Sequence, residues 1–228
     1  MSEQVTIVIP AYNEERAIVG VIRGLKARGY SRVVVVDDGS KDRTGELARR
    51  EGALVLRHLF NRGVGGAWGT GIKAALSFNP EIIVTFDADG QHDPDDIHRL
   101  IEPIEKAEAD VVIGSRRQDA ANIPISRRLA HRIANLITYL LFGLHTTDSQ
   151  SGLRALSRDA AEKLRITSSG MEICSEIIAE ITRHRLRLEE VPIRAIYTDY
   201  SLSKGQSFKM GLRTLAKLIL GKFRRSAL

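Results

Sequence analysis

A single cysteine, Cys174, stands in 228 residues, so an internal disulfide is excluded and a reducing compartment suits the chain. No run reaches the ~18–20 apolar residues of a membrane-spanning helix. The longest uncharged apolar stretch, IANLITYLLFGL at 133–144, falls well short. The start, MSEQVTIVIP, has no basic segment ahead of an apolar one, so no export leader is expected. A recognised zinc spacing is missing too, since His92 has only His98 close by. What is present is 43% hydrophobic and 27% charged, the balance of a globular chain with a sizeable core.

Charge of the two signs is unevenly placed. Residues 1–113 carry 14 Lys and Arg against 18 Asp and Glu, whereas residues 114–228 carry 20 against 10. The first half is suited to holding a cation. The second is suited to meeting an anion, such as nucleic acid, a phosphate or an acidic membrane, or is simply a solvated basic surface.

The first half has a rhythm. VTIVI (5–9), RVVVV (32–36), ALVLR (53–57), IIVTF (82–86) and DVVIG (110–114) are short Val- and Ile-rich runs. Between them lie helical signals: an apolar face of Ile18, Val21, Ile22 and Leu25 stopped by Gly29; a segment with Ser40 as N-cap and Gly52 as stop; and a helix opening with Pro94. Apolar strands alternating with helices predict a mostly parallel sheet covered on both faces, with ligands bound outside the carboxyl ends of its strands.

Four of those ends carry polar, glycine-rich loops: PAYNE (10–14), DDGS (37–40), HLFNRGVGGAWGTG (58–71) and DADGQHDP (87–94). The last gathers Asp87, Asp89 and Asp93 on one short loop. Like charges so close repel, so a bound cation, a solvated turn or an acid–base pair must explain them. Acids favour a first helical turn, which accounts for Asp93, Asp95 and Asp96 but poorly for Asp87 and Asp89. Asn13 could cap the helix after the first strand. GTGIKA (69–74) satisfies the glycine fingerprint of a dinucleotide-binding oxidoreductase with Asp89 as its ribose acid. That rival needs the glycines in a tight turn directly after a strand, and it leaves DDGS and DADGQHDP unexplained.

In order and spacing, these motifs resemble family 2 inverting glycosyltransferases of the GT-A fold, nearest to the dolichyl- or polyprenyl-phosphate sugar synthases. The resemblance continues through GSRR (114–117), SRRLAHRIAN (126–135), DSQSGLRALSR (148–158), EEVPIRAIY (189–197) and SLSKG (201–205), nearly the whole chain. It implies one GT-A domain over 1–228: a nucleotide-sugar half at 1–113, an acceptor half at 114–206 and a basic amphipathic C-terminal helix at 207–228. It implies Mg²⁺ or Mn²⁺ held by Asp87 and Asp89, with Gln91 completing the ligand set, because hard dications take oxygen ligands and neutralise a leaving diphosphate. Pro10, Ala11, Tyr12 and Glu14 line the nucleoside pocket, Asp38 accepts from a uracil or guanine N–H, and Gly66 and Ala88 lie along the nucleotide. Glycine in the 62–71 run lets backbone approach the nucleotide. Ser203 and Lys204 reach the diphosphate, Ser203 also facing the acceptor. Tyr197–Thr198 stands where relatives often have a Tyr-Arg pair.

The donor implied is a UDP- or GDP-sugar and the acceptor a polyprenyl phosphate, with no nucleic acid involved. Arg116 and Arg127 contact the acceptor phosphate, His131 stands where relatives place a serine, and Asp89, Asp148 and Arg116 form the catalytic set. Asp148 is alternatively the acid of an Asx-type turn. Leu129, Ile133, Leu136 and Leu140 share a helical face, apolar surface for a lipid tail. Relatives that glycosylate a sugar hydroxyl show a Glu-Asp pair late in the chain. Here GMEICSEI (170–177) offers Glu172 and Glu176 without such a pair, which favours a phosphate acceptor. Transfer to a saccharide hydroxyl and a catalytically silent nucleotide-binding scaffold remain the alternatives. The tail has Phe208, Leu212, Leu215, Ile219 and Phe223 in one stripe, with Lys209, Arg213, Lys217 and Arg224 opposite. Such a helix suits a membrane interface, this protein's own core or a second subunit. A cytoplasmic protein, peripheral on the cytoplasmic face of a membrane and able to self-associate, is the expectation.

Overall fold

A computed structural model describes residues 4–116, 125–194 and 196; for 125–131 and 134 it describes the helix backbone only. Seven strands form one sheet in the order β3-β2-β1-β4-β6-β5-β7. In chain order the elements are β1 (Val5–Ala11), α1 (Ile18–Ala27), β2 (Val33–Asp37), α2 (Thr44–Arg50), β3 (Leu54–Arg57), α3 (Gly63–Leu76), β4 (Ile82–Thr85), α4 (Ile97–Glu105), β5 (Val111–Ser115), α5 (Ile125–Phe142), β6 (Arg154–Ser157), α6 (Arg158–Lys163), α7 (Ile173–His184) and β7 (Leu188–Pro192). Only β6 runs against the rest, pairing antiparallel with both β4 and β5. This is the mostly parallel α/β architecture that the apolar strands predict.

Central strands are buried on both faces, so alternate residues feed two cores. Ile7, Ile9, Val35 and Val84 meet Ile18, Ile22 and Leu25 of α1 and Ile97 and Leu100 of α4. Val8, Ile83, Val111 and Ile113 meet Trp68 and Ile72 of α3 and Ile173, Ile177 and Ile181 of α7. Gly71 lets α3 lie close on the sheet, because a Cβ there would come 2.3 Å from a Val8 methyl. GTGIKA thus lies inside α3 rather than in a strand–helix turn, which removes the geometry a dinucleotide fingerprint requires.

Two helix starts differ from expectation. Ser40 does not cap α2. Its hydroxyl accepts from Asn13 N–H (3.0 Å), and Asp42 takes the Thr44 N–H instead (3.0 Å). Asn13 does not cap α1, which begins at Ile18. It adopts φ +56° and accepts from Lys41 N–H (2.9 Å). The two loops are pinned to each other, a tertiary demand that overrides local capping.

The chain runs β1, β2, β3 toward one edge and then returns to place β4 on the other side of β1. The crevice outside the ends of β1 and β4 is therefore the topological switch point where ligands bind in such sheets. It brings the 10–14 and 87–94 loops together.

Candidate active site

β4 ends at Thr85 and delivers Asp87, buried Ala88 and Asp89 to the switch point. Asp87 accepts from the Nε2–H of buried His92 (2.8 Å), whose ring meets Phe86 edge-on at 5.5 Å and whose Nδ1 is buried with no hydrogen-bond partner. Gly152 lies against the Asp87 carboxylate, and a Cβ there would come within 2.2 Å of its Oδ2. Burial pushes the Asp87 pKa up. The His92 hydrogen bond and the charges of His92, Arg116 and Arg154 outweigh burial, so the net shift is downward. Asp89 is pushed up to about 6, first by burial and then by the negative charge of Asp87. It accepts Gln91 N–H at 3.0 Å. Two carboxylates of which one resists ionisation mark a place short of positive charge.

A hard dication fits this donor set. Among the described residues no three His, Cys, Asp or Glu side chains converge on one point. Asp87, Asp89 and Gln91 would hold such an ion together with oxygens of a bound diphosphate, as Mg²⁺ commonly is held.

On the β1–β2 side, Pro10 is half-buried, Ala11 and Glu14 are buried, and Tyr12 is 40% exposed at the rim. Asp38 N–H donates to Ala11 O (2.8 Å), tying the two strand ends together. The Asp38 carboxylate, 3% exposed, accepts from Arg62 N–H and Gly63 N–H (2.8 Å each) and lies 2.6 Å from His58 Nδ1. Holding the 58–63 loop is thus a structural task of Asp38 that the sequence did not reveal. Asp37 is also buried, taking Ser40 N–H at 2.9 Å with Gly45 directly beneath it.

Two residues of the glycine run are also demanded by the fold itself. Gly63 and Gly65 face the carbonyls of Ser169 and Ser168, which a Cβ would approach to 2.2 and 2.3 Å, while Gly66 sits over Arg62. Close approach is indeed the reason for glycine, but what approaches Gly63 and Gly65 is the protein's own 168–169 backbone.

At the end of β5, Arg116 and Asp148 form a two-pronged ion pair: Nε to Oδ2 at 2.7 Å and Nη2 to Oδ1 at 2.9 Å. Such a fork fixes the guanidinium plane. The loop carrying Asp148 is held from three sides. Glu190 on β7 accepts from Thr146 Oγ1 (2.5 Å), Thr147 N–H (2.8 Å) and Asp148 N–H (3.3 Å). Asn135 on α5 donates to Thr147 O (2.6 Å) and accepts from Ser149. Arg154, fully buried, donates to Ser149 O (2.7 Å), Ser151 O (3.0 Å) and Cys174 O (3.3 Å), with its guanidinium 5.5 Å from the Trp68 ring centre. Burial lowers the pKa of Arg154, while the charges of Asp148 and Asp87 support its ionised form. Asp148 therefore orients Arg116 in this structure.

Glu172 and Glu176 are buried on α7 and brace the strap at 167–170. Glu176 accepts from Thr167 and Ser168 N–H, and Glu172 from Gly170 N–H. Ser169 O in turn accepts Gly65 N–H at 2.9 Å. A cleft of about 570 Å³ lined by Gln4, Asn79, Glu81, Ser157 and Arg158 opens at the amino ends of β1 and β4, the opposite rim from the carboxylates.

The side chains of Arg127 and His131 and all of Ser203 and Lys204 lie outside the described residues, as does the 207–228 stripe. His92, Gly152, Arg154, Glu190 and Asn135 are the supports that sequence reasoning missed. SGLR at 151–154 carries a signal in hindsight, an arginine inside an otherwise apolar run.

The profile of glycosyl transferase family 2 matches residues 6–165. An uncharacterised protein of Methanocaldococcus jannaschii is 48% identical over 96% of this chain and 93% of its own. A UDP-N-acetylglucosamine–dolichyl-phosphate N-acetylglucosaminyltransferase of Methanococcus voltae is 37% identical over 95% of each chain. An undecaprenyl-phosphate mannosyltransferase of Micrococcus luteus is 33% identical over 88% of this chain and 87% of its own. Glucosyl-3-phosphoglycerate synthase of Mycobacterium tuberculosis, solved with Mn²⁺, UDP and phosphoglyceric acid, shares the fold with a TM-score of 0.74. It is 20% identical, over 95% of this chain and 76% of that one.

Proposed function

The chain belongs to glycosyl transferase family 2, and within it we propose an enzyme that moves a hexosyl group, with inversion, from a nucleoside diphosphate sugar to the phosphate of a polyprenyl phosphate. The observation that carries this reading is the pairing on one rim of the sheet: a strand-end dicarboxylate beside an arginine held flat by a carboxylate fork. The first suits a diphosphate-bound dication, and the second suits an acceptor phosphate.

Bound there, Mg²⁺ or Mn²⁺ would neutralise charge on the departing diphosphate. Asp87, kept ionised by His92 and two arginines, and Asp89 would hold it. Tyr12 and Glu14 line the nucleoside side, and Asp38 keeps the neighbouring loop in place. Arg116 draws the acceptor phosphate to the face of the sugar opposite the diphosphate. A phosphate oxygen then bonds to the anomeric carbon as the carbon–diphosphate bond breaks, and that electron pair leaves with the nucleotide. A phosphomonoester has a second pKa of about 6, so its attacking oxygen needs no proton removed at neutral pH. That accords with Glu172 and Glu176 bracing a loop, and with Asp148 engaged by Arg116. A saccharide hydroxyl would instead need a base.

One further feature supports a lipid-linked acceptor. α5 exposes Ile133, Leu136, Tyr139 and Leu140 beyond the Arg116 end of the sheet, an apolar path for a prenyl tail. Ile196 N–H reaches Gln91 O at 2.8 Å, which ties the chain beyond β7 to the 87–94 loop. No helix among the described residues is long and apolar enough to cross a membrane, and peripheral attachment is the arrangement proposed. The test is nucleotide release from UDP- and GDP-sugars with Mn²⁺, comparing a short polyprenyl phosphate with its alcohol. Stimulation by the phosphate alone supports the reading; equal stimulation by both overturns it.

A further inference from the structure

Leu59 and Phe60 are adjacent in the chain and are 99% and 70% exposed. Two large apolar side chains held in water are a cost unless something covers them. Their loop is not slack. His58 N–H donates to Asp37 O at 2.9 Å, and Asp38 takes the N–H groups of Arg62 and Gly63. Gly39 supports the loop from below, where a Cβ would come 2.9 Å from the Phe60 carbonyl carbon. The fold thus braces an apolar tip and points it outward.

Its neighbours are cationic. Lys41, Arg57 and Arg62 are exposed around it, and Arg57 is tied to the next loop through Ser40 O (3.0 Å). Of the acids nearest in sequence, Asp37 and Asp38 are buried, with Asp37 3.5 Å from the exposed Arg57, and half-buried Asp42 bonds to Thr44. β3 also ends on the same rim as β4 and β5. Three strand spacings, ~14 Å, separate the tip from the Asp87 loop.

We propose that Leu59 and Phe60 form a wedge that enters the interface of an anionic lipid bilayer, with Lys41, Arg57 and Arg62 on the headgroups. The choice of a bilayer rests on the lipid-linked acceptor argued above, because a wedge on this rim turns the site toward the leaflet that carries such an acceptor. Charge complementarity favours anionic lipid over a protein surface. Size does as well: an aromatic side chain buries at most ~250 Å², and two side chains fall well short of the ~800 Å² per partner of a stable protein interface.

The test uses the full chain and vesicles of phosphatidylcholine and phosphatidylglycerol without any polyprenyl lipid, so its outcome is independent of the acceptor assignment. Trp68 is the sole tryptophan and is 1% exposed, so Phe60→Trp adds one reporter at the tip. Its emission should shift to the blue on vesicles and be quenched by brominated acyl chains. Leu59→Ser with Phe60→Ser should weaken vesicle co-sedimentation by at least about tenfold, leaving the melting temperature and nucleotide release with a short soluble acceptor unchanged. An unshifted emission from the Phe60→Trp variant, no vesicle binding by the wild type, or wild-type binding by the double variant overturns the wedge. So does a blue shift that grows with protein concentration in lipid-free buffer as the mass doubles, which assigns the tip to a second copy. If vesicle binding behaves as expected while polyprenyl phosphate goes unused, the wedge stands and the acceptor reading falls.

Discussion

Removing one negative charge from the strand-end pair should stabilise the metal-free protein. The variant is Asp89→Asn. In the folded chain Asp89 holds its proton up to about pH 6, against an ordinary value of 3.8. The folded state therefore binds more protons than the unfolded chain between those values, and stability falls as pH rises through that window. Below about 3.8 the cost vanishes; above about 6 it is complete. At ~1.4 kcal/mol per pH unit the full cost is roughly 3 kcal/mol, reduced to ~2 kcal/mol for the partial exposure of the carboxyl. Asparagine carries no charge, and its carbonyl can still accept Gln91 N–H. For a chain of this length ~2 kcal/mol corresponds to a melting temperature ~4–8 °C higher. The assay is thermal melting in EDTA at pH 7.5 and pH 5, where the gap should shrink to about half its size. Mn²⁺ with UDP should then raise the melting temperature of the wild type and leave that of the variant unmoved. An Asn variant less stable than wild type in EDTA at pH 7.5, or a gap indifferent to pH, would refute the reasoning.

Gly152→Ala places a methyl within 2.2 Å of Asp87 Oδ2 and must displace that carboxylate. Turnover should fall ~100-fold or more while circular dichroism stays native, and wild-type kinetics in the variant would contradict the contact. Glu190→Gln replaces a charged acceptor with a neutral one beneath the Asp148 loop, a loss of ~1.5–3 kcal/mol at most. It should raise the acceptor KM severalfold more than the donor KM, and an equal rise in both would mean that Glu190 only supports the fold. Arg127→Ala is expected to raise the acceptor KM selectively. Deleting 207–228 should reduce binding to anionic vesicles and spare donor hydrolysis; unfolding or loss of a dimer instead would make the stripe a packing surface.

Much of this was legible where local physics decides. The five apolar runs of the first half became five parallel strands: β1, β2, β4 and β5 because burial on both faces demands continuous Val and Ile, and β3 as a part-exposed edge strand; the rim motifs follow from where those strands end. β6 and β7 escaped notice for the same reason in reverse. RALS is four residues long and carries a buried arginine, and LEEVP lies at the sheet edge, partly exposed, with two acids. The site divides similarly. Asp87, Asp89 and Arg116 announce themselves at strand ends. Glu190 acts on residues more than 40 positions away, and Arg154 on a carbonyl 20 positions away, relations that no spacing rule encodes. Glycines 63 and 65 show the limit of reading a residue's freedom without its neighbour. The need for close approach was correct, and the approaching group lay a hundred residues downstream.

The central claim is transfer of sugar to a lipid-borne phosphate, and mass spectrometry of the product tests it most directly. Purified protein with Mn²⁺, a UDP- or GDP-sugar and a short polyprenyl phosphate should yield the glycosyl phospholipid, one hexosyl unit heavier than the acceptor. Polyprenol should yield nothing, and neither should the Asp89→Asn variant. A glycosylated polyprenol, or product formed at the wild-type rate by Asp89→Asn, would contradict the account.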